Sequence, residues 1–220
     1  GEGAALQRQI EDICQRTDGQ LIAIDGKTLK GSWQPGERGS AIHMVSAFAC
    51  ENSLVLGQVK TDSKSNEISA IPELLQLLEL KGCLVSIDAM GCQKAIAEQL
   101  ISKEADYLLA VKSNQPKLHQ ALVNAFQDFE SITKEDITKQ KARLEYRSYQ
   151  VLDASVLPQH IKEQWPSVKT VAMSDSYRMV KEKKSGLERR YFISSAQLDT
   201  DRFAAACRHH WHIENQLHWV

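Results

Sequence analysis

The pattern of apolar and polar residues along the chain predicts short buried strands that alternate with amphipathic helices. Three apolar runs each end in a charged residue: residues 21–24 before Asp25, residues 84–87 before Asp88 and residues 107–111 before Lys112. A continuous apolar run of this length, ended by a charged or turn-forming residue, is typical of a buried strand. We therefore expect three central strands of a sheet.

The segments around these runs complete the predicted order of elements. Two extended stretches, residues 41–50 and 54–60, predict a hairpin after the first strand. Apolar spacings of three and four residues predict helices at about residues 66–78, 92–103 and 116–126, and another from Thr200, a suitable cap, to the end of the chain. Residues 128–141 are polar and predict an exposed connection or a frayed helix. Extended segments follow at residues 144–152, 168–180 and 191–195.

Helices between successive strands favour parallel neighbours, so the sheet is expected to be mixed, with an antiparallel meander before the parallel part. This is the order of elements in a ribonuclease-H-like α/β core, a mixed sheet flanked by helices. Four segments are predicted: an N-terminal helical lead of a truncated piece (1–19), the first part of the core (20–142), a β-rich insertion (143–195) and a final core helix (196–220).

Composition and charge narrow the class of protein. The 27 basic and 28 acidic residues give a formal net charge of −1, so any nucleic-acid contact must be local. The apolar fraction of 42% is ordinary for a globular protein, and no stretch is long and apolar enough to predict a membrane span. Five scattered cysteines predict reduced thiols in the core. We expect a cytoplasmic protein that does not contact membranes.

Three acids suggest a site for divalent metal ions. Asp25 and Asp88 end two buried strands and are expected at one edge of the sheet, where ligands bind in such folds. Glu214 lies on the final helix, whose apolar stripe, Phe203, Cys207, Trp211 and Leu217, is expected to pack on the sheet. Carboxylates are the ligands that magnesium and manganese prefer. Aspartate before glycine is also a common turn, so either aspartate alone has a structural alternative.

Polar and basic residues beside the strand ends predict contacts with phosphate. Lys27 and Lys30 follow Asp25, and Lys112 and Asn114 follow the third strand. Side chains of these types bind the nucleic-acid backbone rather than the bases. We therefore expect them to hold DNA next to the acids, with exposed lysines of no special role as the alternative.

The histidines near Glu214 offer a second kind of site. His210, Glu214 and His218 are four residues apart, a spacing compatible with zinc on one face of a helix. That reading leaves the two strand-end aspartates unexplained, so packing and phosphate contact are the preferred roles for the histidines. A serine hydrolase is disfavoured because no Gly-x-Ser-x-Gly motif occurs.

Four motifs carry a resemblance to a known family: Ile24-Asp25-Gly26-Lys27, Ser86 to Gln93, Ala110 to Gln115 and Arg208 to Asn215. In these motifs the chain resembles bacterial insertion-sequence DDE transposases of the H-repeat-associated, Rhs-linked subgroup. The resemblance implies Asp25, Asp88 and Glu214 as catalytic residues and as ligands of two Mg²⁺ or Mn²⁺ ions. It adds Arg208 to the DNA-binding residues.

The same resemblance implies metal-dependent cleavage and strand transfer of double-stranded DNA at transposon ends. Transposon ends and target DNA are then the partners, the protein is nucleoid-associated, and a homodimer is one assembly to consider. Two departures from the family pattern stand out. His210 occupies a position where related transposases carry arginine, and residues 141–145 read Lys-Ala-Arg-x-Glu instead of His-Gly-Arg-x-Glu. A transposase-derived remnant that keeps the fold and DNA affinity without catalysis is the alternative.

Overall fold

A computed structural model describes residues 21–29, 42–49, 54–61, 67–140, 143–180 and 183–216. Its strands are β1 (Leu21–Leu29), β2 (Ile42–Ala49), β3 (Leu54–Thr61), β4 (Leu84–Ile87), β5 (Asp106–Val111), β6 (Ile132–Gln140), β7 (Arg143–Asp153), β8 (Thr170–Val180), β9 (Lys183–Lys184) and β10 (Glu188–Ser194). Its helices are α1 (Glu67–Leu77), α2 (Lys94–Ser102), α3 (Pro116–Asp128), α4 (Gln159–Lys162) and α5 (Thr200–Gln216). The predicted helix before residue 20 lies outside this range.

One continuous mixed sheet contains the described strands. Its order is β3-β2-β1-β4-β5-β10-β8-β7-β6, and β9 pairs with β8. Strands β1, β4 and β5 are parallel, whereas the β1–β2–β3 meander and the strands from β10 to β6 are antiparallel. The first five strands have the order 3-2-1-4-5 of a ribonuclease-H-like fold, which confirms the predicted fold class.

Alternation along the strands divides the core into two apolar layers. Ile22 and Ile24 of β1 pack in the layer covered by α1, α2 and α3. Leu21 and Ala23 of the same strand pack in the layer beneath α5, together with Leu84 of β4. Because successive side chains on a strand point to opposite faces, each central strand needs apolar residues at every position. This explains why these strands read as continuous apolar runs.

Helix α5 is anchored at its first turn. The Asp199 carboxylate accepts a hydrogen bond from the Arg202 backbone N–H at 2.7 Å. Asp199 is therefore the cap, and the prediction that Thr200 caps the helix is wrong. Phe203 is fully buried, and its ring meets the edges of Tyr149 and Phe192 with centroids 5.9 and 5.1 Å away. Burial of one such ring contributes about 2 kcal/mol or more to folding.

The polar segment at residues 128–141 was expected to be a connection or a frayed helix, and that expectation is wrong. It contains β6, the edge strand, which pairs with β7 from Ile132 to Gln140. Apolar periodicity fails here because β6 covers no core. Its polar side chains contact α5 instead: Lys134 pairs with Asp201, and Asp136 accepts from Arg208 at 2.9 Å.

Two further observations bear on the class of protein. Cys83 and Cys92 are buried free thiols and Cys207 is a half-buried one, in agreement with the predicted reduced core cysteines. Within the described ranges, no helix is both long and apolar enough to cross a membrane.

Candidate active site

The two aspartates lie where the parallel pairing of β1 with β4 ends. Strand β1 pairs with β4 so that Ala23 lies beside Ser86 and Ile24 beside Ile87. Asp25 and Asp88 are the next two residues, and both are partly buried. Asp88 follows β4, but Asp25 lies within β1, which continues to Leu29 beside β2, so the prediction that the first strand ends at Asp25 is wrong. Their expected placement next to each other is nevertheless reproduced, whereas their roles as catalytic residues and metal ligands remain predictions.

Both aspartates belong to the face of the sheet that α5 covers. Leu21 and Ala23 on β1, and Leu84 on β4, pack in the α5 layer. Asp25 and Asp88 each continue this every-second-residue series, and Asp88 keeps an extended backbone. The two carboxylates thus lie on the side from which a residue of α5 can approach.

A tight turn after β4 keeps Asp88 at the edge of the sheet. Residues Ala89–Gly91 form one turn of 3₁₀ helix that folds back over Ile87. A Cβ at Gly91 would lie 2.2 Å from the Ile87 Cγ2 atom, a distance that no side chain permits. Glycine is therefore required three residues after the aspartate, which gives the Asp-Ala-Met-Gly motif a physical reason.

A hydrogen bond joins α5 to β4 next to the aspartates. The Ser86 hydroxyl and the His210 Nδ1 atom are 2.7 Å apart. Ser86 precedes Asp88 by two residues on the strand, and His210 precedes Glu214 by four residues on the helix. The contact therefore links the second aspartate's strand directly to the helix that carries the third acid.

The spacing beyond this contact allows the height of Glu214 relative to Asp88 to be inferred. On β6, which runs parallel to β4 across the sheet, Lys134 pairs with Asp201 and the later Asp136 pairs with the later Arg208. Helix α5 therefore runs in the same direction as β4. Four residues of helix advance about 6 Å and two residues of strand about 6.6 Å. We infer that one turn beyond His210 brings Glu214 to the height of Asp88.

The predicted acids and lysines are described to different extents. The backbone of α5 is described to Gln216 and its side chains to Trp211, so Glu214 is placed on the helix without a described side chain. Lys27 lies on β1, also without a described side chain, and Lys30 lies outside the described ranges. Among the side chains that are described, no group of three or more His, Cys, Asp or Glu could hold a metal ion.

The residues after β5 lie next to the turn that follows β4. Lys112 is exposed, and its side chain makes no ion pair or hydrogen bond with the described part of the chain. The Asn114 amide donates to the Ala89 carbonyl at 2.7 Å, and the Gln115 amide donates to the Cys92 carbonyl at 2.9 Å. Asn114, predicted to bind DNA, thus also ties the two loops together.

Arg208 projects from α5 toward β6. Its Nη1 atom donates to the Asp136 carboxylate at 2.9 Å, and 46% of its side chain is exposed. The predicted DNA-binding arginine therefore already has an acidic partner, which a phosphate would have to displace or share.

A cleft of about 480 Å³ opens where β4 and β5 end and continues beneath α5. Among the described residues that line it, three are acidic and five are basic: Asp88, Asp175 and Glu188, and Lys112, Arg147, Arg189, Arg190 and Arg208. The Arg189 guanidinium binds both Asp175 oxygens, at 2.7 and 2.6 Å. The other three arginines also have carboxylate partners, so among the described lining residues Lys112 is the cation most available to a polyanion.

Sequence reasoning missed the partner of His210 and the arginines of the cleft. His210 was assigned to packing or phosphate contact, and the spacing of four from Glu214 was the one signal in the sequence that linked it to the site. Arg147 and Arg190 come from distant strands, and nothing in their local sequence indicates that they meet Asp88 across one cleft. The zinc reading stays an untested alternative.

Two adjacent aspartates on a ribonuclease-H-like sheet, on the face covered by the helix that carries a third acid, are the arrangement expected from the resemblance to DDE transposases. The chain belongs to the Transposase DDE domain family, whose profile matches residues 16–220. This agrees with the predicted resemblance to DDE transposases.

Curated relatives support the H-repeat-associated subgroup. The chain is 51% identical to "Putative transposase YncI" of Escherichia coli O157:H7, over 96% of this chain and 56% of the relative. It is 42% identical to "H repeat-associated putative transposase YhhI" of Escherichia coli K12, over 96% of this chain and 58% of the relative. The chain thus spans less than three fifths of the length of these relatives.

A solved structure gives a weaker likeness. The piggyBac transposase in a synaptic complex with hairpin DNA aligns with a TM-score of 0.44 and 12% identity, over 87% of this chain and 37% of that one. A likeness at this level carries no argument about function.

The partly buried His210 predicts a loss of stability in mild acid. Burial, and to a smaller extent the charge of Arg190, lowers the pKa of His210 to about 4. Its pKa is about 6.5 in an unfolded chain, so the stabilisation from neutral His210 is complete above that pH and is lost as the pH falls toward 4. When the pH falls from 7 to 5, we expect this loss to lower the unfolding free energy by about 1 to 2 kcal/mol.

Urea denaturation at both pH values measures this loss. His210→Asn should remove most of it, because asparagine does not titrate and its amide can replace the bond to Ser86. His209→Asn, at the exposed neighbouring position, is the matched control and should keep the loss. An unchanged pH dependence in His210→Asn would contradict the assignment.

Proposed function

We propose that the chain is the catalytic part of a DDE transposase that cleaves DNA at transposon ends and joins it to target DNA with the help of divalent metal ions. The observation that carries the proposal is the register of β1, β4 and α5. Parallel pairing sets Asp25 next to Asp88, and the Ser86–His210 bond sets the helix that bears Glu214 over the same face. Membership in the Transposase DDE domain family supports a transposase function.

Asp25, Asp88 and Glu214 would hold two Mg²⁺ or Mn²⁺ ions. The donor set fits, because the hard carboxylate oxygens of Asp25 and Asp88, on adjacent strands and partly buried, suit these ions better than zinc or copper. When bound, such ions activate the attacking oxygen and stabilise the leaving oxygen of a phosphodiester. The residues of this chain supply the remaining work: they fix the carboxylates, hold the phosphate and limit access of water.

The cleft offers groups that position the DNA backbone. Lys112 extends from the end of β5 beside the turn that follows Asp88, and Arg190 and Arg208 line the same cleft. Cations next to the carboxylates attract the phosphate chain and hold it over the acids, which is what an in-line displacement requires. Lys27 and Lys30 are proposed to extend this contact on the β1 side.

The cleavage test uses the full-length protein, a plasmid that carries the genomic DNA flanking its gene, and Mn²⁺. Asp25→Asn, Asp88→Asn and Glu214→Gln should each abolish metal-dependent cleavage while leaving the melting temperature nearly unchanged, because each amide keeps the shape but not the charge. Asp128→Asn, at the exposed end of α3, is the control and should cleave like the wild type.

Cleavage that survives in Asp88→Asn, or that needs no metal, would refute the proposed function. A full-length protein that binds DNA but never cleaves it would instead identify the remnant that keeps fold and affinity alone.

Lys112 provides a separate test of DNA binding. Lys112→Ala should weaken binding to all DNA sequences and reduce the slope of log affinity against log salt by about one, because one phosphate contact is lost. Lys81→Ala removes a lysine that pairs with Glu104 at the opposite edge of the sheet, 3.2 Å away, and is the matched control. A defect confined to one DNA sequence would show that Lys112 reads bases.

A further inference from the structure

Trp211, three residues before Glu214 on α5, is held by arginines of the β-rich region. It was expected in the apolar stripe on the sheet, but it is only partly buried. The guanidinium carbons of Arg147 on β7 and Arg178 on β8 each lie 4.7 Å from the centre of its ring. Cations at this distance are attracted to the indole ring, more strongly where water is partly excluded.

Glu145 links the two arginines. One of its oxygens accepts from Arg147 Nη2 at 3.0 Å, and the other lies 3.3 Å from Arg178 Nε. Arg143 also pairs with this carboxylate, of which 16% is exposed. Two guanidinium groups against one indole repel each other, so a carboxylate that contacts both is needed to keep them there. We call Glu145, Arg147 and Arg178 the arginine clamp.

We propose that the arginine clamp positions the third acid of the site by fixing the rotation of α5 about its axis. The inference rests on the proposed function, because it gives Glu214 a task that depends on orientation. It also gives a role to Glu145, the last residue of the Lys-Ala-Arg-x-Glu motif, which the catalytic assignment leaves unexplained.

Two contacts of α5, the Ser86–His210 bond and the clamp on Trp211, hold different sides of the helix. Consecutive residues on an α-helix are about 100° apart around its axis, since one turn takes 3.6 residues. Phe203 and the ion pairs of Asp201 and Arg208 hold the earlier turns of α5, and the Ser86–His210 bond holds one side of the turn that leads to Glu214. The clamp on Trp211 holds the adjacent position, so the pair of contacts fixes both the height and the rotation of the turn that leads to Glu214.

A direct contact with DNA is the competing role for these arginines, since Arg178 is 44% exposed. The two roles differ in what they change. A phosphate contact affects DNA affinity and KM, whereas a positioning role affects metal affinity and the rate of cleavage once DNA is bound. Loss of residues that orient metal ligands typically costs 10- to 100-fold in metal affinity or activity.

The experiment measures the Mn²⁺ dissociation constant and single-turnover cleavage of the full-length protein. Glu145→Gln keeps the shape of the side chain and removes the charge, and Trp211→Leu removes the indole. Each should weaken Mn²⁺ binding and slow cleavage at least tenfold, with DNA affinity and melting temperature close to those of the wild type. Trp211→Phe, which keeps an aromatic face, should remain within about threefold of the wild type.

Glu135→Gln is the matched control. It makes the same substitution on neighbouring β6, where the carboxylate accepts from the Tyr146 hydroxyl at 2.8 Å on the opposite face of the sheet. This variant should leave Mn²⁺ binding unchanged. The double variant Glu145→Gln/Trp211→Leu should be no worse than Trp211→Leu alone, because both changes break one contact.

The outcomes separate the inference from the function on which it rests. If the wild type is active and both Glu145→Gln and Trp211→Leu bind Mn²⁺ and cleave normally, the positioning role of the clamp is refuted and the proposed function is not. Raised KM with unchanged kcat and Mn²⁺ affinity would also refute the positioning role and would assign the arginines to DNA. A wild-type protein that neither binds Mn²⁺ nor cleaves DNA would overturn the proposed function, and the clamp with it.

Discussion

The hydrogen bond between Ser86 on β4 and His210 on α5 determines how the final helix meets the sheet. A typical buried hydrogen bond contributes about 1 kcal/mol net, but leaving a buried partner unsatisfied costs about 1 to 3 kcal/mol. The bond therefore selects one placement of α5 over others that bury similar apolar area. Phe203 and the neighbouring buried alanines supply apolar contact, whereas the directional Ser86–His210 bond favours one register. The position of Glu214 relative to Asp25 and Asp88 depends on that register.

The β-rich region, which comprises strands β6 to β10, also supports α5. Its strands continue the core sheet, because β10 pairs with β5, so the region is joined to the core by backbone hydrogen bonds and not by a linker. Three sets of polar contacts run from it to α5: Lys134 to Asp201, Asp136 to Arg208, and the arginine clamp to Trp211. Exposed ion pairs contribute little individually, so their value here lies in orientation more than in stability.

The local sequence was sufficient to predict the elements that bury apolar surface. The runs before Asp25, Asp88 and Lys112 are apolar at every position because helices cover both faces of the sheet, and this pattern can be recognised without a structure. Strand β6 was missed because an edge strand that covers no core carries no apolar period. The cap at Asp199 was placed one residue late, at Thr200, since both residue types suit that position.

The site was predictable only in part, for a related reason. The two aspartates can be recognised in the sequence because each follows an apolar run, but the groups that orient the acids come from distant positions. Glu145 and Trp211 are 66 residues apart in the sequence, and the contact between them runs through arginines on two strands. No local pattern encodes such a contact. A residue that acts by positioning another becomes visible only when the fold brings the two together.

The most direct test of the account is a crystal structure of the full-length protein with bound Mn²⁺, in which anomalous scattering locates the ions. We predict that the carboxylates of Asp25, Asp88 and Glu214 hold the manganese ions and that the Ser86–His210 bond is intact. Manganese bound at histidines, or a Glu214 carboxylate turned away from an ion held by the two aspartates, would contradict it.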